Sequence, residues 1–205
     1  MTIRLVIFDM DDVLCQYDLG RRLRALSRLS GRTPRDIRAA IWDSGFEDAA
    51  DSGAYSESEY LAQFGERLGY PITRAEWAEA RRGSMTAWEE MLGHARAIAT
   101  RADIALYTNN GPLTRATLPE LFPAAHALFG ERAFFSYQFG TKKPDPESYR
   151  RLLAHLGVRP EDSFFIDDKL SNVEGARIAG LHAHHFRSRE AFEDEARELG
   201  LLSPQ

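Results

Sequence analysis

The sequence is poor in the features that mark secreted, membrane-spanning and nucleic-acid-binding proteins. Its single cysteine, Cys15, excludes an intramolecular disulfide and favours a reducing compartment. No apolar run approaches the roughly 18 residues of a membrane span, and no basic leader precedes the first apolar segment, so we expect a cytoplasmic protein without a membrane partner. The formal net charge of -5 offers no basic surface, so we expect no nucleic-acid partner either. One basic cluster lies on a predicted helix and is expected to face solvent: Arg21, Arg22, Arg24 and Arg28.

The composition is that of an ordinary globular protein, with 43% hydrophobic and 28% charged residues. The segment from Ile3 to Phe8 is rich in β-branched and large apolar residues, which predicts a strand buried on both faces. It is followed by Asp9 and Asp11. Ligands bind at the carboxyl ends of strands in open α/β sheets, so this carboxylate pair is a candidate site. The two charges repel each other, and a divalent cation, a lysine or both should lie near them.

Beyond Leu14 the pattern is helical for about seventy residues, which is too long for a simple crossover between strands. Three helix-start signals occur in this stretch, one threonine before a proline and two capping boxes: Thr33 with Pro34, Ser56 with Glu59, and Thr73 with Glu76. We therefore predict an inserted α-helical subdomain.

After the insertion, strand and helix patterns alternate. Apolar segments predict strands at 104–107, 133–136, 163–166 and 182–186. Helices are predicted at 88–99 and 146–156, between Ser171 and Gly180, and at 189–199, with Ser171 and Glu174 as the cap of the third. This alternation predicts an α/β fold with a Rossmann-like, doubly wound and mostly parallel sheet.

Polar side chains follow four of the predicted strands. In chain order they are Asp9 and Asp11, then Thr108 and Asn109, then Lys143, and finally Asp167 and Asp168. A parallel sheet places the ends of these strands at one edge, so we expect acids, a hydroxyl group and an ammonium group to converge there.

Four segments carry a resemblance to a known family: FDMDDVL (8–14), IALYTNNG (104–111), GTKKPDPESY (140–149) and FFIDDKLSNVEGARIAG (164–180). In these segments and in their order the chain resembles the haloacid dehalogenase (HAD) superfamily, subfamily I, whose phosphatases carry a helical (C1) cap after the first strand. In finer detail it is similar to small sugar-phosphate phosphatases such as glucose-1-phosphate phosphatases. The resemblance implies a HAD-like core of residues 1–16 and 86–205 and a helical cap of residues 17–85.

The resemblance also implies a function, the Mg²⁺-dependent hydrolysis of a small phosphorylated metabolite through an aspartyl phosphate. Asp9 is then the nucleophile, and Asp11 is the acid that protonates the leaving alcohol and the base that activates water. Thr108, Asn109 and Lys143 bind the phosphoryl group together with Asp9, and Lys143 also neutralises charge on it.

The implied metal ligands are the Asp9 carboxylate, the backbone carbonyl of Asp11 and Asp168, with Asp167 behind them or bound through water. The chain departs from the commonest family pattern at Asp12, where glycine is frequent. Lys142 is an alternative to its neighbour Lys143 as the active lysine, and we prefer Lys143 because it directly precedes Pro144, as in the family motif.

Other functions remain open. A metal-independent dehalogenase of the same superfamily lacks the second acid, so Asp11 disfavours it, whereas a phosphomutase would use the same core. A phospho-acceptor signalling domain also combines acids, a threonine and a lysine, but its acid pair precedes a separate acceptor acid. A catalytically silent binding protein is the last alternative.

The sequence also supports predictions for one segment of the insertion and for a group of histidines. The segment that contains Trp42, Phe46, Glu47, Asp51 and Tyr55 is expected to close over the active site and contact the leaving group. His182, His184 and His185 have strand-like spacing, and because alternation separates His184 from its neighbour, we expect a partly buried strand rather than a metal site.

Overall fold

The computed structural model describes residues 2–203. The strands are β1 (Leu5–Phe8), β2 (Cys15–Tyr17), β3 (Met85–Ala87), β4 (Asp103–Thr108), β5 (Ala133–Phe135), β6 (Ser163–Asp167) and β7 (His182–His185). Five of them form one parallel sheet in the order β5-β4-β1-β6-β7, with β1 at its centre. The predicted doubly wound α/β fold is confirmed.

The helices fall into two groups. Those inserted between β2 and β3 are α1 (Leu19–Ser30), α2 (Pro34–Ile41), α3 (Phe46–Asp51), α4 (Glu57–Leu68) and α5 (Arg74–Arg82). Those that accompany the sheet are α6 (Glu89–Ile98), α7 (Pro112–Leu121), α8 (Pro123–Phe129), α9 (Pro146–Leu156), α10 (Leu170–Ile178) and α11 (Arg189–Glu198). No helix within residues 2–203 is both long and apolar enough to cross a membrane.

Helices cover both faces of the sheet because the side chains of its strands alternate between them. In β1, Val6 and Phe8 pack into a core with residues of α6, α8 and α11. Leu5 and Ile7 point the other way, into a second core with residues of α9 and α10. All four side chains are fully buried. The two-sided burial accounts for the unbroken apolar run that predicted this strand.

The insertion begins and ends in a short antiparallel pair that the helical pattern did not reveal. β2 pairs with β3, so that Cys15 lies opposite Ala87 and Tyr17 opposite Met85. Strands of three residues are too short to show a period of two, which is why the sequence predicted helix throughout this stretch. The two chain crossings between core and insertion are thereby held side by side.

The three helix-start signals of the insertion form the expected bonds. The Thr33 hydroxyl oxygen accepts from the backbone N–H of Asp36 at 3.2 Å. Ser56 with Glu59 and Thr73 with Glu76 make both bonds of a capping box. The interior of the insertion is aromatic, and its apolar cluster extends to α7 of the core.

The predicted cap at Ser171 is wrong. Helix α10 begins at Leu170, and Lys169 occupies the capping position without a side-chain cap bond. The backbone N–H of Lys169 instead donates to the Asp167 carboxylate at 2.8 Å. A buried acid at the end of β6 therefore serves the turn that a serine was expected to serve.

Candidate active site

A cavity of about 270 Å³ lies between the carboxyl edge of the sheet and the helical insertion. It brings together six of the predicted site residues: Asp9, Asp11, Thr108, Asn109, Lys143 and Asp168. The seventh, Asp167, is fully buried directly behind them. The insertion contributes Tyr17, Arg22, Trp42, Glu47, Asp48, Asp51 and Arg81 to the opposite wall. Residues that are far apart in sequence thus meet because parallel strands end at a common edge.

Lys143 links the two buried acids of the central strands. Its ammonium nitrogen lies 2.8 Å from Oδ1 of Asp9 and 2.6 Å from Oδ2 of Asp167. It also donates to the backbone carbonyl of Tyr107 at 3.1 Å. Lys142, by contrast, pairs with Asp48 of the insertion. The geometry therefore favours Lys143 as the lysine that contacts the expected nucleophile.

Burial and charge act in opposite directions on these groups. Burial raises the pKa of the Asp9 carboxyl well above its usual value, and Asp167 adds to this effect, while Lys143 counteracts it. Burial alone lowers the pKa of the Lys143 ammonium, but the Asp167 and Asp9 carboxylates raise it above its ordinary value. The lysine is accordingly a permanent cation, and a further positive charge beside Asp9 would favour the ionised form of its carboxyl group.

The donor set at this edge fits a small, hard cation. Carboxyl oxygen atoms of Asp9, Asp167 and Asp168 lie within 4.8 Å of one another. Oxygen ligands of this type are those that Mg²⁺ and Ca²⁺ prefer. Asp167 is already engaged by protein donors, because Nδ2 of Asn172 contacts both of its oxygens at 3.0 Å. Asp9 and Asp168 are therefore the acids with the greater capacity to hold an ion directly.

Thr108 has a hydroxyl proton free for an incoming oxygen. Its Oγ1 accepts from Nδ2 of Asn110 at 2.8 Å, so its own O–H points elsewhere. Asn109 makes a structural contact that was not predicted. Its side-chain amide accepts from the backbone N–H of Lys143 at 3.0 Å and donates to the carbonyl of the same residue at 2.8 Å. Its side chain thereby holds the lysine loop, and the second N–H of its amide remains for another acceptor.

The Asp11 side chain is held by the insertion. Its Oδ2 accepts from Nη2 of Arg81 at 2.6 Å, and the guanidinium carbon of Arg81 lies 4.3 Å from the centre of the Tyr17 ring. Burial lowers the pKa of the Arg81 guanidinium, but the Asp11 carboxylate outweighs this effect and raises it. The residue expected to act as acid and base is therefore joined to the last turn of α5 by a buried charge pair.

The backbone conformation and side-chain contacts of Asp12 explain how aspartate fits at a position where glycine is frequent. Its backbone φ is +61°, in the left-handed region that glycine adopts easily. Its carboxylate accepts from the backbone N–H of Tyr17 at 3.0 Å, and its own N–H donates to the carbonyl of Cys15 at 2.6 Å. Aspartate tolerates this conformation when its side chain bonds the local backbone. The acid thus stabilises the turn that leads into β2.

The expected contribution of the insertion to the cavity is correct for Trp42, Glu47 and Asp51. Two other aromatic residues of that stretch lie elsewhere. Phe46 is buried inside the insertion, stacked on Tyr60 with ring centres 5.2 Å apart, and Tyr55 packs against Phe46. Phe46 lies on the short helix α3 and Tyr55 lies beyond its end, and their rings pack together within the insertion, away from the cavity.

Histidine and cysteine take structural positions. As expected from alternation, His184 contacts Glu195 on one face of β7, while Nε2 of His185 donates to the backbone carbonyl of Asp168 at 2.9 Å on the other. No histidine belongs to the metal-compatible acid group found within residues 2–203. Burial, followed in importance by Asp11, raises the pKa of the Cys15 thiol. That thiol therefore stays protonated and unreactive.

A family model for haloacid dehalogenase-like hydrolases matches residues 3–180. The chain belongs to this family. The match spans the insertion and four of the five strands of the sheet, and it ends before β7.

Among curated relatives, this HAD-like hydrolase is 28% identical over 227 residues to the phosphatase MT3486 of Mycobacterium tuberculosis, with 98% of this chain and 96% of that protein covered. It is 25% identical to a D-ribitol-5-phosphate phosphatase of Bacteroides thetaiotaomicron, with 87% and 89% covered. A HAD family enzyme of the same organism, solved in complex with magnesium and inorganic phosphate, superposes with a TM-score of 0.78 at 19% identity, with 91% and 96% covered.

Two buried arginines of this HAD-like hydrolase were missed by the sequence analysis. Arg22 was expected to face solvent with its neighbours, yet it is 2% exposed and lines the cavity. Arg81 follows a capping box in an ordinary helical stretch. No local spacing marks either residue, because each is buried by the packing of the insertion against the sheet. One feature of the sequence could have indicated the burial of Arg22: it lies on the same helix face as Leu23 and Leu26.

Proposed function

We propose that the protein is a Mg²⁺-dependent phosphatase that hydrolyses a small phosphorylated metabolite through an aspartyl phosphate on Asp9. The observation that carries the proposal is the contact of 2.8 Å between Asp9 and the Lys143 ammonium, at the end of the central strand and open to a cavity. Matches to curated phosphatases along nearly the whole chain support the same activity.

Asp9 is placed for attack on phosphorus. Its carboxylate needs no base when ionised, but it must be shielded from an anionic substrate. Lys143 provides one positive charge beside it. The free proton of the Thr108 hydroxyl is positioned for a phosphoryl oxygen at the same edge. These fixed donors act where negative charge accumulates during phosphoryl transfer.

Asp11 completes the chemistry as acid and then base. Two positions beyond Asp9, it faces the same cavity and is held by Arg81. Protonated, it gives its proton to the leaving alcohol, and ionised, it takes one from the water that attacks phosphorus. The contact with Arg81 holds this carboxyl group in position beside the cavity.

The metal ligands we propose are the carboxylates of Asp9 and Asp168 and the backbone carbonyl of Asp11, with Asp167 behind them. A bound Mg²⁺ supplies charge that offsets the excess of carboxylates and helps to orient the phosphoryl group. The close approach of Asp9, Asp167 and Asp168 supports this assignment. Magnesium in a structure of the same fold agrees with it.

We further propose that residues 17–85 are a C1 cap that selects the leaving group, with residues 1–16 and 86–205 as the core. The position of α1–α5 above the cavity supports this division. We expect the reaction to be hydrolysis rather than phosphoryl transfer within the substrate by a phosphomutase. We also expect the protein to act in the cytoplasm, because the free thiol of Cys15 is compatible with a reducing compartment.

The test is release of inorganic phosphate from p-nitrophenyl phosphate, with and without Mg²⁺. We expect turnover that needs the metal and a loss on the order of 10⁴-fold or more in Asp9→Asn. Asp194→Asn, on the outer helix α11, is the matched control and should retain activity. Absence of metal-dependent turnover in the parent would leave a signalling or silent binding protein. Glucose 1-phosphate belongs in the substrate panel, where free phosphate indicates a phosphatase and glucose 6-phosphate a mutase.

A further inference from the structure

Arg22 of α1 is a buried cation in the wall of the active-site cavity. It is 2% exposed and borders the cavity opposite Asp9. Nη1 donates to the Tyr17 hydroxyl oxygen at 3.3 Å. Nε and Nη2 are buried and have no hydrogen-bond partner among the described residues. A guanidinium group with two unmet donors in a protein interior calls for a specific explanation.

The other buried cations around the cavity are neutralised. Lys143 lies against two carboxylates, and Arg81 lies against Asp11. Within residues 2–203, no carboxylate oxygen lies within 4.0 Å of the Arg22 guanidinium. Arg22 is thus the buried cation of this cavity that the protein itself leaves without an anion.

Aromatic rings surround the Arg22 guanidinium but do not replace an anion. Its central carbon lies 4.9 Å from the Trp77 ring, 5.3 Å from the Trp42 ring and 5.8 Å from the Phe64 ring. Such contacts favour a cation, yet they provide no acceptor for its N–H groups. They do fix the plane of the guanidinium, and a fixed plane is what two-point recognition of an oxyanion needs.

The two acids near Arg22, Glu47 and Asp51, do not neutralise it. Glu47 accepts from the Tyr60 hydroxyl at 2.7 Å. Burial, and after it the charge of Glu47, raises the pKa of Asp51 to about 8. At neutral pH Asp51 is therefore largely protonated and can donate to an oxyanion.

We propose that Arg22, with the Tyr17 hydroxyl group, forms the subsite for an oxyanion on the leaving group of the substrate, either a carboxylate or a second phosphate. The inference rests on the proposed phosphatase function, which places the transferred phosphoryl group at Asp9. The incoming oxyanion takes the place of the Tyr17 oxygen as acceptor for Nη1 and gives Nη2 an acceptor of its own. The Tyr17 hydroxyl is then free to donate to the same anion.

Matched substrate pairs test this subsite. D-3-phosphoglycerate and sn-glycerol 1-phosphate share the configuration at C2 and differ in a carboxylate against a hydroxymethyl group. Ribulose 1,5-bisphosphate and ribulose 5-phosphate differ in a second phosphate. In at least one pair we expect the parent to show a kcat/KM about tenfold or more higher for the more anionic member. The pair that shows the preference identifies the oxyanion. In Arg22→Met the preference should disappear, and in Arg22→Lys it should survive in part.

The control variant is Arg24→Met, which changes an arginine of the same helix whose side chain is 59% exposed, and which should retain the full preference. A merely structural Arg22 would lower kcat/KM for both members of each pair equally, and that result overturns the inference. So does a parent that hydrolyses p-nitrophenyl phosphate but shows no preference. A parent inactive on every ester refutes the phosphatase function itself, and the inference with it.

A measurement on the parent alone covers the case in which Arg22→Met does not fold. The products D-glycerate and glycerol, and inorganic phosphate in place of a second phosphate group, are compared as inhibitors of p-nitrophenyl phosphate hydrolysis. A carboxylate subsite requires glycerate to inhibit about tenfold or more strongly than glycerol. A phosphate subsite requires inorganic phosphate to bind at a second, non-competitive site. If glycerate and glycerol are equal and phosphate is purely competitive, the inference is wrong.

Discussion

The sheet wall and the insertion wall of the cavity differ in how far their charged groups are paired. On the sheet side, Lys143 bridges Asp9 and Asp167, and Asn172 and the Lys169 backbone satisfy the remaining oxygens of Asp167. On the insertion side, and among the residues that the structure describes, Arg22 has unmet donors and Asp51, with a pKa of about 8, forms no ion pair. Apart from the proposed metal ion, the sheet wall is complete in itself, whereas the insertion wall is completed by what enters the cavity.

The difference suits the sheet wall to the reaction and the insertion wall to the selection of the substrate. Groups that must hold a phosphoryl oxygen in one geometry gain from being fixed beforehand, since no reorganisation is then needed during the reaction. Groups that recognise a leaving group gain from unmet polar atoms, because a ligand lacking the matching atoms leaves them unpaired and is rejected. Arg81 connects the walls, since it belongs to the insertion and contacts Asp11 of the core.

The largest expected effect comes from breaking the complete wall at its centre. Lys143→Met leaves Asp9 and Asp167 buried without their cation. We expect kcat to fall about 10²–10³-fold and the free energy of unfolding to fall by about 3–5 kcal/mol. Phosphate release and urea unfolding measure the two losses.

Lys142→Met is the matched control for that change. Lys142 pairs with Asp48, whose side chain is 77% exposed, so its removal should cost less than about 1 kcal/mol and leave kcat within a few fold of the parent. Comparable losses in the two variants would mean that the active lysine has been assigned to the wrong position.

An intermediate effect is expected at the connection between the walls. Arg81→Met frees Asp11, and we expect turnover of alkyl phosphates to fall about tenfold or more, because an alkoxide leaves only with a proton. The loss on p-nitrophenyl phosphate should be smaller, since nitrophenolate leaves unaided. The double variant Asp11→Asn with Arg81→Met should lose little more turnover than Asp11→Asn alone. Additive losses, equal for both esters, would refute a role through Asp11.

The smallest expected effect on turnover concerns the incomplete wall, where the change appears instead as a dependence of stability on pH. The pKa of Asp51 rises from 3.8 to about 8 on folding, so the folded state favours the protonated acid. Its contribution to stability is present below pH 4 and is lost as the pH rises towards 8. Between pH 4.5 and pH 8.5, Asp51→Asn should therefore gain stability over the parent by several kcal/mol, because one pKa unit corresponds to about 1.4 kcal/mol. Thermal unfolding at both values measures this.

Asp43→Asn is the control for Asp51, because it changes an exposed acid of the insertion, and it should show no such pH dependence. If the Asp51 variant and the parent lose stability in parallel between the two pH values, the raised pKa of Asp51 is refuted.

Local patterns in the sequence were sufficient for the sheet and for the sheet side of the cavity. Continuous apolar runs identified the strands, and polar residues directly after them, such as Thr108 and Asp168, necessarily reach the same edge when strands are parallel. Helix starts at Ser56 and Thr73 were equally local, because a capping box is complete within four residues.

Features that depend on packing between distant segments were not predictable in this way. Arg22 was assigned to solvent, yet the rings of the insertion enclose it. Asn109 was expected to bind phosphate, and its contact with the backbone of Lys143, 34 residues further on, was not foreseen. The strands β2 and β3 pair across the whole insertion and are too short to show a period. In each case the partner lies outside any window that a periodic pattern can cover.

The central claim is that the Asp9 carboxylate is the group that receives the phosphoryl group. Protein quenched during steady-state turnover with Mg²⁺ and treated with borohydride tests it, because borohydride reduces an acyl phosphate to an alcohol and leaves a free carboxylate intact. The account predicts homoserine in place of Asp9 in the peptide mass spectrum, and none when substrate is omitted. Unmodified Asp9 in a preparation that is turning over, or homoserine at another aspartate, would contradict it.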